Sequence, residues 1–329
     1  MRFALDAMGG DYAPEEPCKG AVLACAEDSE LVVSLIGDPA RIAPCLESAP
    51  ALVRARINIV DAPEVIGMGD NPVASIRGKK RSSLRVAMEM VRSGEAVGCI
   101  SAGNTGAIVA GGVLVVGRIE GIDRPGLAVP IPAIKRISLL LDVGATVHCK
   151  AMNLYQFARM GAIYARAVTG IESPSVALLS NGVEEIKGDS VISDARELLS
   201  RGDINFKGYV EGRDIPIGET DVVVCDGFTG NALIKFGEGI GEIVKTLVQT
   251  EIKGHFLPML GAVLMMPTLK KLSAKFEYEK HGGSPLLGVN GIVVKAHGNS
   301  RAAAIAGALR VASSFARVKG NDIIKESLN

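Results

Sequence analysis

Short apolar runs recur along the chain, each followed within three residues by a glycine, asparagine or aspartate. They cover residues 2–6, 31–36, 57–60, 97–100, 138–141, 176–179, 222–225 and 291–295. Several are wholly apolar and β-branched, as in Val222-Val223-Val224, which is how a strand buried on both faces of a parallel sheet reads. Between the runs the apolar spacing lengthens to the helical period. Residues 17–27, 84–91, 107–116, 152–168 and 191–199 read as helices, and a closing helix starts at 301. After 222–225, Ile240, Ile243, Val244, Leu247 and Val248 fall at i, i+3, i+4, i+7 and i+8, one apolar stripe of a helix. Strands alternating with helices predict an α/β protein: a mostly parallel, doubly wound sheet in an α/β/α sandwich. The stretch 240–280 lacks strands and reads as a helical excursion. Residues 61–82 have weak periodicity and form a long loop. No break in composition divides residues 1–329, so one α/β unit is expected.

Polar residues gather where the runs end. The stretch Asp226-Gly227-Phe228-Thr229-Gly230-Asn231 joins a strand to a helix, and Ser101-Ala102-Gly103-Asn104-Thr105-Gly106 repeats the arrangement. A helix start offers free N–H groups and partial positive charge, which suit an anion. The plain alternative is an ordinary βα loop with Thr229 or Asn231 as the N-cap. Asp6, Asp11, Asp142 and Asp226 also stand at strand ends, and Lys187 lies in a glycine-flanked loop. A doubly wound sheet would bring these joints to one edge.

Composition narrows the chemistry. The chain is 48% hydrophobic and 22% charged, with 36 basic and 36 acidic residues, a folded rather than disordered composition. Zero net charge and 4% aromatics without Trp argue against nucleic acid as the main partner. The six cysteines form no Cys-x-x-Cys pair and the four histidines have no metal spacing, so reduced cysteines and no metal are expected. The first apolar run contains Asp6, unlike a signal peptide, and no run is long enough to span a bilayer. Val73 and Lys80 stand where a P-loop needs its first Gly and its hydroxyl, and Met8-Gly9-Gly10-Asp11 is no dinucleotide fingerprint. No cofactor is therefore expected. The segment 77–85 holds five basic residues in nine, either a solvated face or a landing site for an acidic partner.

Taken together the motifs carry a resemblance. Asp6-Ala7-Met8-Gly9-Gly10-Asp11, Ser101 to Ala107, Leu141-Asp142-Val143-Gly144-Ala145, Asp226 to Asn231, Gly282-Gly283-Ser284-Pro285-Leu286-Leu287-Gly288 and His297-Gly298 occur in one order over nearly the whole chain. In this the chain resembles the bacterial acyl-acyl carrier protein:phosphate acyltransferases of phospholipid synthesis. It departs from them at Arg81, Thr146, His148 and His281, and in the segment Leu178 to Glu185.

The resemblance implies transfer of a long-chain fatty acyl group from acyl-acyl carrier protein to inorganic phosphate, giving acyl phosphate for phosphatidic acid synthesis by a membrane glycerol-3-phosphate acyltransferase. It also implies a fold like isopropylmalate dehydrogenases and phosphotransacetylases, a homodimer, and a cytoplasmic protein loosely held at the membrane. On this reading Lys187, Asp226, Asn231 and Asn104 are the catalytic candidates. Lys187 would neutralise phosphate or the leaving thiolate, Asp226 would orient a donor or handle a proton, and the two amides would hold the oxyanion. Phosphate and acyl donor would meet Asp6, Gly10, Ser101, Gly103, Thr105, Gly106, Asp142, Thr229, Gly230 and His297. Carrier protein would dock on Lys79, Lys80 and Arg81. A phosphotransacetylase acting on short acyl-CoA and a non-catalytic carrier-protein scaffold are the competing readings.

Residues 255–266 are the longest apolar stretch outside the expected sheet and its covering helices. Pro258, Gly261 and Pro267 should prevent one continuous helix through it. The stretch is either a buried connection, at a dimer contact or within the chain, or an exposed tip whose Leu257, Leu260 and Leu264 enter a membrane, with Lys270, Lys271 and Lys275 close behind.

Overall fold

The computed structural model describes residues 1–182, 189–252, 256–276 and 283–327. Its strands are β1 (Arg2–Asp6), β2 (Val32–Gly37), β3 (Ile57–Asp61), β4 (Gly98–Ser101), β5 (Gly126–Ile131), β6 (Ser138–Leu141), β7 (Val176–Leu179), β8 (Phe206–Val210), β9 (Val222–Val224), β10 (Ser284–Leu287) and β11 (Ile292–Lys295). The helices are α1 (Glu15–Glu27), α2 (Pro39–Ile42), α3 (Ala51–Arg54), α4 (Pro72–Gly78), α5 (Ser83–Ser93), α6 (Thr105–Gly111), α7 (Ala151–Thr169), α8 (Ser190–Ser200), α9 (Gly227–Ile252), α10 (Phe256–Phe276), α11 (Ala302–Arg317) and α12 (Gly320–Glu326).

The strands form one 11-stranded sheet in the order β3-β2-β1-β4-β11-β10-β5-β6-β9-β7-β8. The pairs from β3 to β11 are parallel, as are those among β6, β9, β7 and β8. Between the two groups, β10 pairs antiparallel with both β11 and β5, and β5 antiparallel with β6. The expected α/β sandwich is therefore present, with an antiparallel seam at its centre. Side chains of alternate strand positions feed opposite faces. Phe3, Leu5, Ile100, Ile292 and Val294 join the core that includes residues of α1 and α11, while Ala4, Cys99 and Val293 join the core that includes residues of α5 and α6.

Three features depart from the sequence expectation. The strands at 126–131, 206–210 and 284–287 are new. Pro130 and Pro285 lie inside two of them, and proline argues against a central strand because it donates no ladder bond. Gly208, with φ 86°, interrupts the third at the place where its register with β7 shifts. Within 61–82 the chain forms α4, with Pro72 at its first position and Asn71 Oδ1 accepting from the Ala74 N–H at 3.0 Å. Finally, α10 runs unbroken through Gly261 and Pro267. Pro258 falls in its first turn, where no intrahelical donor is needed. Pro267 removes one hydrogen bond from a segment in which residues 263–268 are exposed, so water can serve the freed carbonyl.

Candidate active site

Three neighbouring parallel strands carry the first polar cluster. Asp6 ends β1, Ser101 ends β4 and Lys295 ends β11. Ser101 is in register with Lys295, and Leu5 with Ile100 one step before Asp6 and Ser101. In-register residues of a parallel ladder point to one face, so these three side chains stand in a row on the α5/α6 face. Asp6 Oδ2 accepts from Ser101 Oγ at 2.7 Å and Oδ1 from the Met8 N–H at 3.1 Å. Ser101 Oγ accepts in turn from the Gly103 N–H at 3.0 Å. Burial raises the Asp6 carboxyl above its ordinary range, against the Ser101 and Ser83 hydroxyls and the Met8 and Gly9 N–H groups, which stabilise its charge.

The loops beyond these strands are locked together. Asp11 N–H donates to the Gly298 carbonyl at 2.8 Å. Gly10 has φ 97°, and a Cβ there would stand 3.0 Å from both Ala102 Cβ and the Gly298 oxygen, so this joint admits only glycine. Asn104 is committed as well. Its Oδ1 caps α6 by accepting from the Ala107 N–H at 3.0 Å, and its Nδ2 donates to the Met68 carbonyl at 2.9 Å and to those of Gly67 and Asp70 at 3.3 Å. The amide expected to hold an oxyanion is thus occupied in pinning the 67–70 loop. Gly106 lies against Pro72. Thr105 is half-buried, and its hydroxyl has no hydrogen bond among the described residues.

The second cluster lies beyond β6 and β9. Asp142 is fully buried. Its Oδ1 accepts from the N–H groups of Leu127 (2.7 Å), Val143 (2.6 Å) and Ala145 (3.1 Å), and its Oδ2 from Thr146 (2.6 Å). Burial pushes its pKa up to about 6, with those four donors pulling the other way. A carboxylate so filled is a staple of its own loop and does not present itself to a substrate. Asp226, not Thr229 or Asn231, caps α9: it accepts from the Thr229 N–H at 2.9 Å and from Thr229 Oγ1 at 2.6 Å. A Cβ at Gly230 would collide with the Asp142 carbonyl oxygen, which brings the start of α9 against the Asp142 loop. Asn231 follows, exposed, beside Gly144, with no side-chain hydrogen bond among the described residues.

The two clusters do not make the single continuous edge that the sequence implied, because the antiparallel seam reverses the strand direction between them. Five strand steps separate β4 from β9. At roughly 20–25° per step the accumulated twist is about 100–125°, which turns the second set of strand ends back toward the first. No hydrogen bond among the described residues joins the clusters directly. Helix α9 joins them. It starts at Gly227, and further along Glu238 Oε1 stands 3.7 Å from His297 Nε2, while its Oε2 accepts from Lys235 Nζ at 2.7 Å. Lys295 lies under this pair. Burial lowers its pKa, Lys235 adds to the lowering, and Glu238 opposes it.

Other expected residues fall differently. Lys187 lies outside the described residues. Lys79 pairs with Asp70 at 2.6 Å and Arg81 with Asp61 at 2.6 Å, which leaves Lys80 exposed without an ion pair among the described residues. Leu260 and Leu264 are 50% and 75% exposed, and the Leu257 side chain lies outside the described set. Lys295 was missed by sequence reasoning, although a lysine closing an apolar strand two residues before His297 is a readable signal. A groove of 390 Å³ between α1 and α11 is walled by the Arg310–Glu27 and Arg317–Asp28 ion pairs, away from both clusters. Among the described residues no group of three His, Cys, Asp or Glu side chains is placed to hold a metal ion.

A profile of the fatty acid synthesis protein family matches residues 1–322. The chain is 49% identical over 312 residues to a phosphate acyltransferase of Heliobacterium modesticaldum, covering 95% of this chain and 93% of that one. Its fold is similar to that of a phosphotransacetylase from Streptococcus pyogenes, with TM-score 0.64 at 15% identity over 97% of this chain and 94% of the other. It is also similar to a 4-hydroxythreonine-4-phosphate dehydrogenase from Klebsiella pneumoniae, with TM-score 0.54 at 14% identity over 96% and 99% of the two chains.

Proposed function

The chain belongs to the fatty acid synthesis protein family and is an acyltransferase, and on that premise we propose that it moves a long-chain acyl group from acyl carrier protein to inorganic phosphate. The observation that carries this reading is the near full-length identity to proteins named phosphate acyltransferase. In the reaction a phosphate oxygen attacks the thioester carbonyl, an oxyanion forms, and the thiolate leaves as free carrier protein. Phosphate is itself the nucleophile, so no covalent enzyme intermediate is required.

The geometry sorts the candidate roles. Asn231 has a carboxamide uncommitted among the described residues at the start of α9 and is the preferred oxyanion donor. Thr105 offers, at the other cluster, a hydroxyl without a hydrogen bond among the described residues. Asp6, Asn104, Asp142 and Asp226 spend their polar atoms on neighbouring loops and act as positioning residues. Lys187 keeps its proposed role toward phosphate or the thiolate. Carrier proteins are acidic, and Arg77 and Lys80 are the basic residues of the 77–85 run left without an ion pair among the described residues. We place docking there, with Lys79 and Arg81 able to exchange their exposed pairs, which are worth little.

The acyl phosphate would pass to a membrane glycerol-3-phosphate acyltransferase for phosphatidic acid synthesis, so the enzyme would work as a homodimer at a membrane surface. The exposed apolar faces of α9 and α10 support this. The test is to supply palmitoyl-carrier protein or palmitoyl-CoA with phosphate and trap acyl phosphate as its hydroxamate. Carrier-protein-dependent product is expected, falling ~10²–10³-fold in Asn231→Ala. Product from short acyl-CoA alone would favour the phosphotransacetylase reading.

A further inference from the structure

The row of side chains across the sheet ends contains one group that the proposed reaction has not used. β1, β4, β11 and β10 are consecutive in the sheet, and at one level they carry Asp6, Ser101, Lys295 and Ser284. Directly paired residues point to the same face, so these four form a polar line on an otherwise apolar sheet face. Asp6 and Ser101 satisfy each other. Lys295 does not share in that bond: its ammonium has no hydrogen bond or ion pair among the described residues, although the residue is half-buried. Asp6, the carboxylate in its own row, is held by Ser101 and the Met8 N–H. Glu238, the acid above it on α9, is taken by Lys235 at 2.7 Å and faces His297 at 3.7 Å. A second ammonium is therefore brought near Lys295 while the local acids are engaged elsewhere.

An ammonium half-removed from water without a counter-charge costs stability, and a second cation nearby adds to the cost. Such a site is relieved by an anion. A small void of 30 Å³ at the end of β11 is lined by Lys295, His297, Ser284 and Ser300 among others. It has room for ordered water of about one probe sphere or a little more. Burial and Lys235 both lower the Lys295 pKa, as expected of a cation awaiting a partner.

We infer that Lys295 is the anchor for the attacking inorganic phosphate, binding the dianion between the end of β11 and α9 with His297 beside it. This assignment rests on the acyl-to-phosphate reading, and it gives phosphate a site at the strand ends. The neighbouring Ser101–Gly103 joint, held by Asp6, would fix the direction from which phosphate approaches the thioester.

Inorganic phosphate is the probe. In chloride-matched buffer, phosphate is expected to raise the melting temperature of the wild-type protein, and Lys295→Met is expected to lose that rise. Lys295→Arg keeps the charge and should retain most of it. In the hydroxamate assay Lys295→Met should raise the KM for phosphate at least tenfold and leave the KM for the acyl donor within twofold. Met is apolar and of similar length, so the variant should fold. Should it not, Lys295→Gln carries the same comparison. A phosphate-induced shift unchanged in Lys295→Met, or absent from the wild type, overturns the proposal. So does a fall in kcat with the phosphate KM unaltered. If the wild type forms no acyl phosphate yet binds phosphate in a Lys295-dependent way, the anchor stands and the reaction assignment fails.

Discussion

Asp6, Asp142 and Asp226 look alike in the sequence, each an aspartate closing an apolar run. The structure gives them three different settings, and the difference lies in how many donors each meets. Asp142 has four N–H donors and no contact with water, whereas Asp226 has one N–H and one hydroxyl at a helix start. The count of donors comes from the path of residues 125–127 and 143–146, which no local pattern encodes. Asn104 and Asn231 divide in the same way: the first is spent on the 67–70 loop, and the second has no side-chain hydrogen bond among the described residues. The Asp142 setting has a pH consequence. Its folded-state pKa of about 6 lies above the ordinary carboxyl value of 3.8, so folding favours the protonated form. Stability from this group is fully present below about 3.8 and is lost as pH rises through about 6. Between pH 7.5 and pH 5 it should therefore return ~1.4 kcal/mol to the wild type. Asp142→Asn lacks that slope and leaves a donor facing its own NH₂ group, at a cost of ~1–3 kcal/mol. Denaturant unfolding of both proteins at the two pH values checks this. Parallel pH dependence in the two would show that Asp142 does not titrate there.

Most elements were legible because they bury apolar side chains with a clear period. The strands 138–141, 176–179 and 292–295 and the helices 83–93 and 151–169 fall within a residue or two of expectation. The strands at 126–131 and 284–287 in the antiparallel seam were not legible, since their prolines hide them, and with them went the division of the site into two clusters. Helix α9 shows a different limit. Its stripe of Ile240, Ile243, Val244, Leu247 and Val248 was readable, but not the direction in which it points. Each of these residues is between 45% and 58% exposed, so the stripe faces away from the sheet. A contiguous apolar face of this kind marks a contact surface. A second copy can cover it by self-complementary packing about a twofold axis. Each side chain so covered contributes on the order of 1 kcal/mol, and ten from two copies offset an association cost of about 4–15 kcal/mol. The double variant Ile243→Glu/Leu247→Glu is expected to sediment as a monomer while the wild type is a dimer. Equal masses for the two proteins would remove α9 from the interface.

At the scale of the whole molecule, the site and the projecting helices belong to one construction. α9 begins at the Asp142 loop, passes the Lys295–His297 end of β11, and then leaves the body, since residues 235–251 are exposed. That exposed part alone spans about 25 Å at 1.5 Å per residue. α10 follows and touches α9, carrying Met259, Leu260, Val263, Leu264, Met265 and Met266, each at least 45% exposed. The apolar residues of the 255–266 stretch that the structure describes are thus not an internal connection of this chain. No helix among the described residues is long and apolar enough to cross a membrane. An apolar tip with lysines further along the same helix instead suits shallow insertion, with the cations meeting anionic headgroups. The proposed product gives this placement a use, because a long-chain acyl phosphate is poorly soluble and would be released next to the lipid. Substituting Leu260 and Leu264 by Glu is expected to abolish cosedimentation with vesicles containing anionic lipid. Hydroxamate formation from soluble acyl-carrier protein should persist, since both polar clusters are untouched. High salt should weaken wild-type binding in part, because screening removes only the headgroup attraction. If the variant sediments as a monomer and still loses no vesicle binding, these leucines belong to the dimer contact and the lipid surface must be sought elsewhere on the molecule.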